Sequence, residues 1–160
     1  MAKQPMDKGV RRNLSRRGMG SGRLIATGAL IYCRTTHRYL FLLRNGDRHD
    51  GSWGLVGGKV DTGETIVEGL NREIAEELGG MICDAKLIPI EKFTSESNNF
   101  EYHTFQITVD EEFVPILNDE HRGYCWVKLE DHPKPLHPGV WRTFKFSSVI
   151  DKIKTLETVV

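Results

Sequence analysis

Residues 58–80 read GKVDTGETIVEGLNREIAEELGG, and this stretch decides the fold. Its apolar residues recur every four positions, which predicts one amphipathic helix over residues 65–78. The recurring residues are Ile66, Leu70, Ile74 and Leu78. Thr62 is the predicted N-cap, because threonine side chains accept hydrogen bonds from the first backbone N–H groups of a helix. Gly79 and Gly80 are the predicted stop.

Three glutamates share one face of this predicted helix. Glu73, Glu76 and Glu77 are three and four residues apart, so at about 100° per residue their carboxylates lie side by side and repel one another. Arg72 relieves part of this repulsion. A divalent cation would relieve the rest, and sites made of carboxylate oxygens suit hard ions such as Mg²⁺ or Mn²⁺. Taken alone, the three glutamates are more typical of a solvated helix face than of a metal site.

The wider pattern is more specific than the acidic face. It fits G-x5-E-x7-R-E-U-x-E-E-x-G, where U is a bulky aliphatic residue, with fixed positions Gly58, Glu64, Arg72, Glu73, Ile74, Glu76, Glu77 and Gly79. Average residue usage gives a chance match on the order of 10⁻⁷ per chain of this size. The stretch resembles the defining box of the Nudix hydrolase family, and the flanking order of elements is similar over residues 22–158. The chain departs from the family at Gly80, where a further aliphatic residue is usual, and at Val56, where many members have proline.

The resemblance implies a set of metal ligands and supporting residues. The implied ligands are Gly57 through its backbone carbonyl, Glu73, Glu76 and Glu77. Glu73 is either a ligand or the base that acts on water. Arg72 orients the carboxylates through charge-assisted hydrogen bonds. Gly58 and Glu64 support the joint between the loop and the helix.

The resemblance also implies the reaction. Two or more cations span adjacent phosphates, neutralise the charge that develops in the transition state and acidify a water for attack at phosphorus. A carboxylate positions that water. The carboxylate is Glu73 or Glu120, because some family members place this base on a late loop. Glu120 fits an exposed acid in a turn equally well.

Several residues are candidates for contact with the substrate. The predicted substrate-binding residues are Arg44, Arg48, Trp53, Lys59 and Tyr102. The basic side chains would bind phosphates, and the aromatic ones would stack on a base. Core packing is the alternative for the aromatic residues, although Trp53 is favoured as a contact because it lies in a polar, glycine-rich loop beside the box. The six histidines show no metal-ligand spacing, and scattered surface imidazoles explain them.

The segments around the box predict an α/β fold. Strands are predicted over residues 23–32, 39–44, 83–93, 100–109 and 123–128, and a second amphipathic helix over residues 140–156. Strands before, between and after two helices predict an α/β/α sandwich of the Nudix type, with a mixed, curved sheet and two main helices.

The composition predicts one globular domain over residues 22–160. The chain has 160 residues, and no apolar run approaches the roughly 20 residues of a membrane span. The N-terminus lacks the apolar stretch of a signal peptide. Three scattered cysteines are too few for a disulfide framework and predict buried or half-buried thiols. We therefore expect a cytoplasmic location without membrane contact.

The net charge of +0 hides a basic N-terminal arm over residues 1–21. Residues 1–20 contain six basic side chains and one acidic side chain, so the remaining 140 residues carry about −5. The arm ends in a glycine-rich segment typical of flexible linkers. It is either a solubilising tail or an electrostatic arm that attracts polyphosphate or RNA.

The predicted function is magnesium-dependent hydrolysis of a nucleoside diphosphate-linked substrate, with release of a nucleoside monophosphate. The group linked to the nucleotide is ribose phosphate, as in ADP-ribose, a second nucleotide, as in dinucleoside polyphosphates, or pyrophosphate, as in nucleoside triphosphates. One alternative is an enzyme that removes the cap or pyrophosphate from RNA 5′ ends. Another is a catalytically silent nucleotide-binding module. A homodimer is compatible with the resemblance.

Overall fold

The computed structural model describes residues 22–80, 82 and 85–160, so the predicted basic arm lies outside the described residues. Within them, seven strands form one sheet: β1 Leu24–Cys33, β2 Arg38–Arg44, β3 Trp53–Gly54, β4 Val56–Lys59, β5 Ile88–Thr94, β6 Phe100–Val109 and β7 His121–Val127. The helices of the described part are α1 Ile66–Leu78, α2 Pro138–Lys145 and α3 Ser147–Val159.

Strand β1 is the centre of the sheet. It pairs parallel with β6 along its whole length and antiparallel with β2 and β4. Its apolar, β-branched sequence suits this position, because a central strand is buried on both faces. Eight of its ten residues are buried. The predicted mixed sheet is therefore confirmed.

The sheet contains a wedge in which β1 and β2 separate. They pair only at Ile31–Cys33, and their other ends pair with β4 and β3 respectively. Because β6 occupies the opposite edge of β1 and β7 the opposite edge of β2, the strands β3 and β4 lie between β1 and β2. The loop that enters α1 leaves from this wedge.

Helices cover both faces of the sheet, as an α/β/α sandwich requires. On one face α1 buries Leu70, Ile74 and Leu78 against the sheet. On the other face α2 and α3 pack over a second core that contains Tyr39 and Phe41. Apolar burial on both sides stabilises the sheet through the hydrophobic effect. The predicted sandwich is confirmed.

Two predicted helix boundaries were wrong. The N-cap of α1 is Thr65, since its hydroxyl accepts a hydrogen bond from the N–H of Glu68 at 3.1 Å and the Glu68 carboxylate accepts one from the N–H of Thr65 at 3.0 Å. Thr62 lies in the preceding turn. The predicted helix over residues 140–156 is two helices, because Phe146 adopts an extended conformation between them (φ −81°, ψ 113°). The fold thus has three helices where the sequence predicted two main ones.

The predicted strand over residues 83–93 was also wrong at its start. Strand β5 begins at Ile88, and residues 85–87 belong to no strand. Of the cysteines predicted to lie in strands, Cys33 is buried in β1 and Cys125 is half-buried in β7, and both are free thiols. Cys83 lies outside the described residues. No helix among the described residues is long and apolar enough to cross a membrane.

Candidate active site

The acidic face of α1 lies against strand β4. Glu73 and Glu77 are 8% and 1% exposed, whereas Glu76 is exposed. A carboxylate oxygen of Glu77 accepts a hydrogen bond from the backbone N–H of Gly57 at 3.0 Å. The helix therefore presents two of the three predicted carboxylates to the wedge and one to solvent.

Burial changes the acidity of both inward carboxylates. The pKa of Glu77 is raised to about 9, chiefly by burial; the hydrogen bond from Gly57 opposes this shift, and the nearby Glu73 and Glu120 carboxylates contribute to it. Burial also raises the pKa of Glu73, although Arg72 lowers it in part. Charged carboxylates at these positions are thus costly unless a cation lies among them.

Arg72 holds the acidic residues in place. Its guanidinium donates to Glu64 at 2.7 and 3.2 Å, to Glu73 at 2.9 Å and to the backbone carbonyl of Lys59 at 2.9 Å. Glu76 lies 3.5 Å away. Glu64 also accepts a hydrogen bond from the N–H of Asp61, which closes the loop before the helix. A planar group with five donors is needed to span so many acceptors.

Two glycines let the backbone of β4 approach its neighbours. A Cβ on Gly57 would lie 2.1 Å from the carbonyl oxygen of Thr27, and its φ of +151° disfavours other residues. A Cβ on Gly58 would lie 2.5 Å from a carboxylate oxygen of Glu73. Gly57 therefore lets β4 lie close to β1, and Gly58 leaves room for the Glu73 carboxylate.

Glu120 lies beside the box, although it is 43 residues after Glu77 in the chain. Ligand atoms of Glu77, Glu120 and His121 all lie within 4.8 Å of one another. Glu120 is exposed, and its charge raises the pKa of both Glu73 and Glu77. The late-loop carboxylate that the sequence suggested is thus adjacent to the acidic face of α1.

The expectation that all six histidines are surface imidazoles was wrong for His121. It is 4% exposed at the start of β7, and burial, followed by the charge of Arg44, lowers its pKa to about 4. Sequence reasoning missed this residue because a single histidine in a polar segment gives no indication of burial. The available signal was its position directly after Glu120 at the start of a strand.

Arg44 lies at the end of β2, where it pairs with His121 of β7. Its charge lowers the pKa of both His121 and His137, after the larger effect of burial, so its guanidinium is close to both rings. It also donates to the carbonyl of Arg48 at 3.4 Å. The Arg48 and Lys59 side chains are exposed, and no ion pair of either is found among the described residues.

The two aromatic residues predicted to contact the substrate, Trp53 and Tyr102, lie on the face of the sheet under α2. Tyr102 and Phe100 line a cavity of about 260 Å³ together with Leu55, His137 and Arg142. Burial, followed by the charge of Glu77, raises the pKa of Tyr102 above its usual value. The Tyr102 hydroxyl lies beside Gly28, which pairs with Gly57 of β4, so the cavity borders the strand that contacts Glu77. Trp53 packs against the hydrophobic core on that face, which gives it a structural role.

Comparisons with known proteins agree with this geometry. The family model described as NUDIX domain matches residues 22–147. Nucleoside triphosphatase NudI from Escherichia coli is 34% identical over 95 residues, and the match covers 51% of this chain and 64% of the relative. The chain thus spans less than two thirds of the length of the curated relatives that it matches.

Solved structures give the same fold. A MutT NUDIX hydrolase from Burkholderia pseudomallei superposes with a TM-score of 0.58 at 28% identity and covers 75% of this chain and 94% of that chain. An Ap4A hydrolase from C. elegans superposes with a TM-score of 0.62 over 84% of this chain and 99% of that one. The second likeness, at 20% identity, concerns the fold alone.

Proposed function

The chain belongs to the Nudix family, and on that premise we propose that it hydrolyses a phosphoanhydride bond in a nucleoside diphosphate-linked substrate with a divalent cation. The observation that carries this proposal is the convergence of Glu73, Glu77 and Glu120 at the wedge, next to a cavity lined by aromatic residues. The charges of Glu73 and Glu120 raise the pKa of the buried Glu77, and a cation would neutralise the charge of such a site.

The residues present fit such a cation. Gly58 leaves space for the Glu73 carboxylate, and the buried Glu77 carboxylate has one backbone donor and no ion pair with Lys or Arg in the described part of the chain. The residues that would hold the cation are Gly57 through its carbonyl, Glu73, Glu76 and Glu77, with Glu120 beside them. The chemistry that a cation supplies at such a site is charge neutralisation on phosphate oxygens and a lower pKa of the attacking water.

The protein side chains would divide the remaining tasks. Glu73 is our candidate for the water-orienting base, because Arg72 fixes one of its oxygens at 2.9 Å and burial raises its pKa towards the range useful for proton transfer. Glu120 was the second candidate, and its position next to Glu77 suits a ligand better. Arg44 would bind a phosphate near His137, which lines the cavity and whose pKa the charge of Arg44 already lowers.

The substrate would be a nucleotide whose base enters the cavity beside Tyr102. The curated relative NudI is a nucleoside triphosphatase, which favours nucleoside triphosphates among the candidate substrates. The C. elegans neighbour is an Ap4A hydrolase, so dinucleoside polyphosphates remain candidates, as does ADP-ribose. Four further points stay predictions: RNA binding through the basic arm, a homodimer, Mg²⁺ as the natural ion and a cytoplasmic location.

The proposal is tested by turnover of a nucleotide panel with Mg²⁺. The panel contains nucleoside triphosphates, ADP-ribose, diadenosine polyphosphates, NADH, and capped and triphosphorylated RNA. Glu77→Gln keeps the side-chain volume and removes the charge, and Glu111→Gln is the matched control on an exposed acid outside the site. We expect Glu77→Gln to lower kcat by about 100-fold, as the loss of a metal ligand should. Turnover that is equal in both variants, or absent from the whole panel in the wild type, would refute the proposal.

A further inference from the structure

His121 is a buried imidazole without a hydrogen-bond partner. It is 4% exposed, and among the described residues neither ring nitrogen has a partner. Leaving a buried polar atom unpaired is unfavourable, so such a residue in a stable fold calls for an explanation. A packing role alone would be served better by an apolar residue of similar size.

The ring of His121 is directed at two carboxylates. One of its nitrogens and one oxygen each of Glu77 and Glu120 lie within 4.8 Å of one another. Ligand bonds of about 2.0–2.3 Å separate opposite ligands of one ion by about 4–4.6 Å. Small side-chain rotations therefore bring all three atoms to coordination distance from one point.

The backbone holds this arrangement before any ligand arrives. The Asn118 side chain accepts a hydrogen bond from the N–H of Glu120 at 3.0 Å, and the Glu120 carbonyl accepts one from the N–H of Asn45 at 2.8 Å. His121 itself is paired with Arg44 across β7 and β2. The two late residues are thus fixed to the same strand pair, and Glu77 is fixed to β4.

We propose that Glu77, Glu120 and His121 bind a divalent transition-metal ion such as Mn²⁺ or Co²⁺, with the His121 imidazole as the ligand that favours this ion over Mg²⁺. Imidazole nitrogen is a ligand for transition metals, whereas Mg²⁺ binds through oxygen. The box glutamates offer oxygen only, so this mixed site differs from them in metal preference. The inference rests on the proposed function in one respect, because Glu77 belongs to both sites.

The test detects the nitrogen ligand directly. Metal-free full-length protein is loaded with Mn²⁺, and electron spin echo envelope modulation reports ¹⁴N coupled to the bound ion. We expect nitrogen modulation in the wild type and its loss in His121→Gln. His103→Gln is the matched control, because His103 also lies beside a glutamate, at 2.5 Å from Glu101, in a different part of the sheet. It should keep the modulation.

Affinity provides a second readout that does not depend on the stability of the buried variant. Titration calorimetry with Mn²⁺ and with Mg²⁺ is carried out on the wild type and on Glu120→Gln, whose side chain is exposed. We expect Glu120→Gln to weaken Mn²⁺ by about tenfold or more, since even indirect contributors to metal sites cost 10–100-fold. His121→Gln should weaken Mn²⁺ more than Mg²⁺, with its fold checked by circular dichroism.

Two results would overturn the inference. In the first, the wild type binds Mn²⁺ but shows no nitrogen modulation. In the second, Glu120→Gln binds Mn²⁺ with the same affinity as the wild type. Neither measurement uses a substrate, so its failure is distinct from that of the proposed function. A protein that shows the modulation and hydrolyses no nucleotide would keep this inference and refute the enzyme. Magnesium-dependent turnover without nitrogen modulation would support the proposed function and refute this inference.

Discussion

The backbone N–H of Gly57 donates to the carboxylate of Glu77 at 3.0 Å and thereby connects β4 to the last turn of α1. Among the described residues it is the only hydrogen bond that the Glu77 carboxylate accepts from a backbone N–H; the side chain is 1% exposed, and its other neighbour, Glu120, is also an acid. A single neutral donor does not compensate the loss of water around a carboxylate. The stability of the metal-free protein should therefore depend on the charge of Glu77.

The first prediction concerns this dependence on pH. Burial raises the pKa of Glu77 to about 9, from 4.5 in the unfolded chain. Between these values the native state holds a proton that the unfolded chain has released, so the free energy of unfolding falls as pH rises, by up to about 1.4 kcal/mol per pH unit. Glu77→Gln does not titrate. In EDTA we expect its Tm to exceed that of the wild type increasingly from pH 5 to pH 8.5.

Added Mg²⁺ supplies the control for this experiment. It should raise the Tm of the wild type at pH 8.5 and leave Glu77→Gln nearly unchanged, because the stabilised species is the ionised carboxylate bound to the ion. Parallel Tm curves for the two proteins in EDTA would contradict the raised pKa of Glu77.

The second prediction concerns Gly58. A Cβ at this position would lie 2.5 Å from an oxygen and 2.6 Å from Cδ of the Glu73 carboxyl group, so Gly58→Ala must displace that group. A misplacement of about 1 Å at a reacting group costs about 100-fold in rate, and we expect kcat to fall by that order. Gly123→Ala is the control, because its Cβ would meet Leu43 at an ordinary 3.5 Å. Equal activity of the two variants would show that Glu73 has no part in the reaction.

The third prediction separates the geometry of Arg72 from its charge. Arg72 reaches Glu64, Glu73 and the Lys59 carbonyl together, which a lysine ammonium is too compact to do. We expect Arg72→Lys to lower kcat by about 10–100-fold with a smaller change in KM and to require more Mg²⁺ for half-maximal rate.

Arg38→Lys is the matched control for Arg72→Lys. Arg38 also binds a glutamate through two donors, at 2.5 and 2.7 Å, but its partner Glu112 lies outside the site. Its rate and Mg²⁺ dependence should match the wild type. A rate for Arg72→Lys that equals the rate of this control would contradict the orienting role.

The fold was predictable where the pattern is local. The alternation of residues 100–109 predicted β6 at its observed bounds, and the four-residue spacing predicted α1 to within one residue. The break at Phe146 was not predictable, because the amphipathic pattern continues across the residue that is extended between α2 and α3. The insertion of β3 and β4 between β1 and β2 depends on pairings that no local pattern specifies.

The same division applies to the candidate site. Helical geometry grouped Glu73, Glu76 and Glu77 from the sequence alone, but it did not indicate that only Glu76 faces solvent. Burial depends on where β4 lies, and this is a tertiary property. The contact of Glu120 and His121 with Glu77 likewise results from the β2–β7 pairing, so sequence reasoning suggested Glu120 only by analogy and missed His121.

The fourth prediction tests the start of α1. Thr65 and Glu68 form a reciprocal capping box, whereas Thr62 makes no cap. We expect Thr65→Ala to lower the free energy of unfolding by about 1 kcal/mol, because the N–H of Glu68 loses the hydroxyl that accepts its hydrogen bond. Thr62→Ala should stay within about 0.5 kcal/mol of the wild type, as surface substitutions usually do. Denaturant unfolding measures both, and the opposite order would restore Thr62 as the cap.

The fifth prediction concerns acid stability and His137, the N-cap of α2. Its Nδ1 accepts a hydrogen bond from the N–H of Gly139 at 3.0 Å, and burial, followed by the charge of Arg44, lowers its pKa to about 4. Between pH 6.5 and pH 4 the unfolded chain holds a proton that the native state excludes, so native stability is lost as pH falls through this window.

Asparagine is a good N-cap that does not titrate, so His137→Asn should keep the cap and remove this loss. We therefore expect the Tm difference between His137→Asn and the wild type to shift in favour of the variant from pH 7 to pH 4.5. Differences measured at pH 7 and pH 8 should agree, because His137 is neutral in both states of the wild type there. A constant difference over the whole range would mean that His137 is protonated in the native state, and the hydrogen bond from Gly139 to Nδ1 would then be absent.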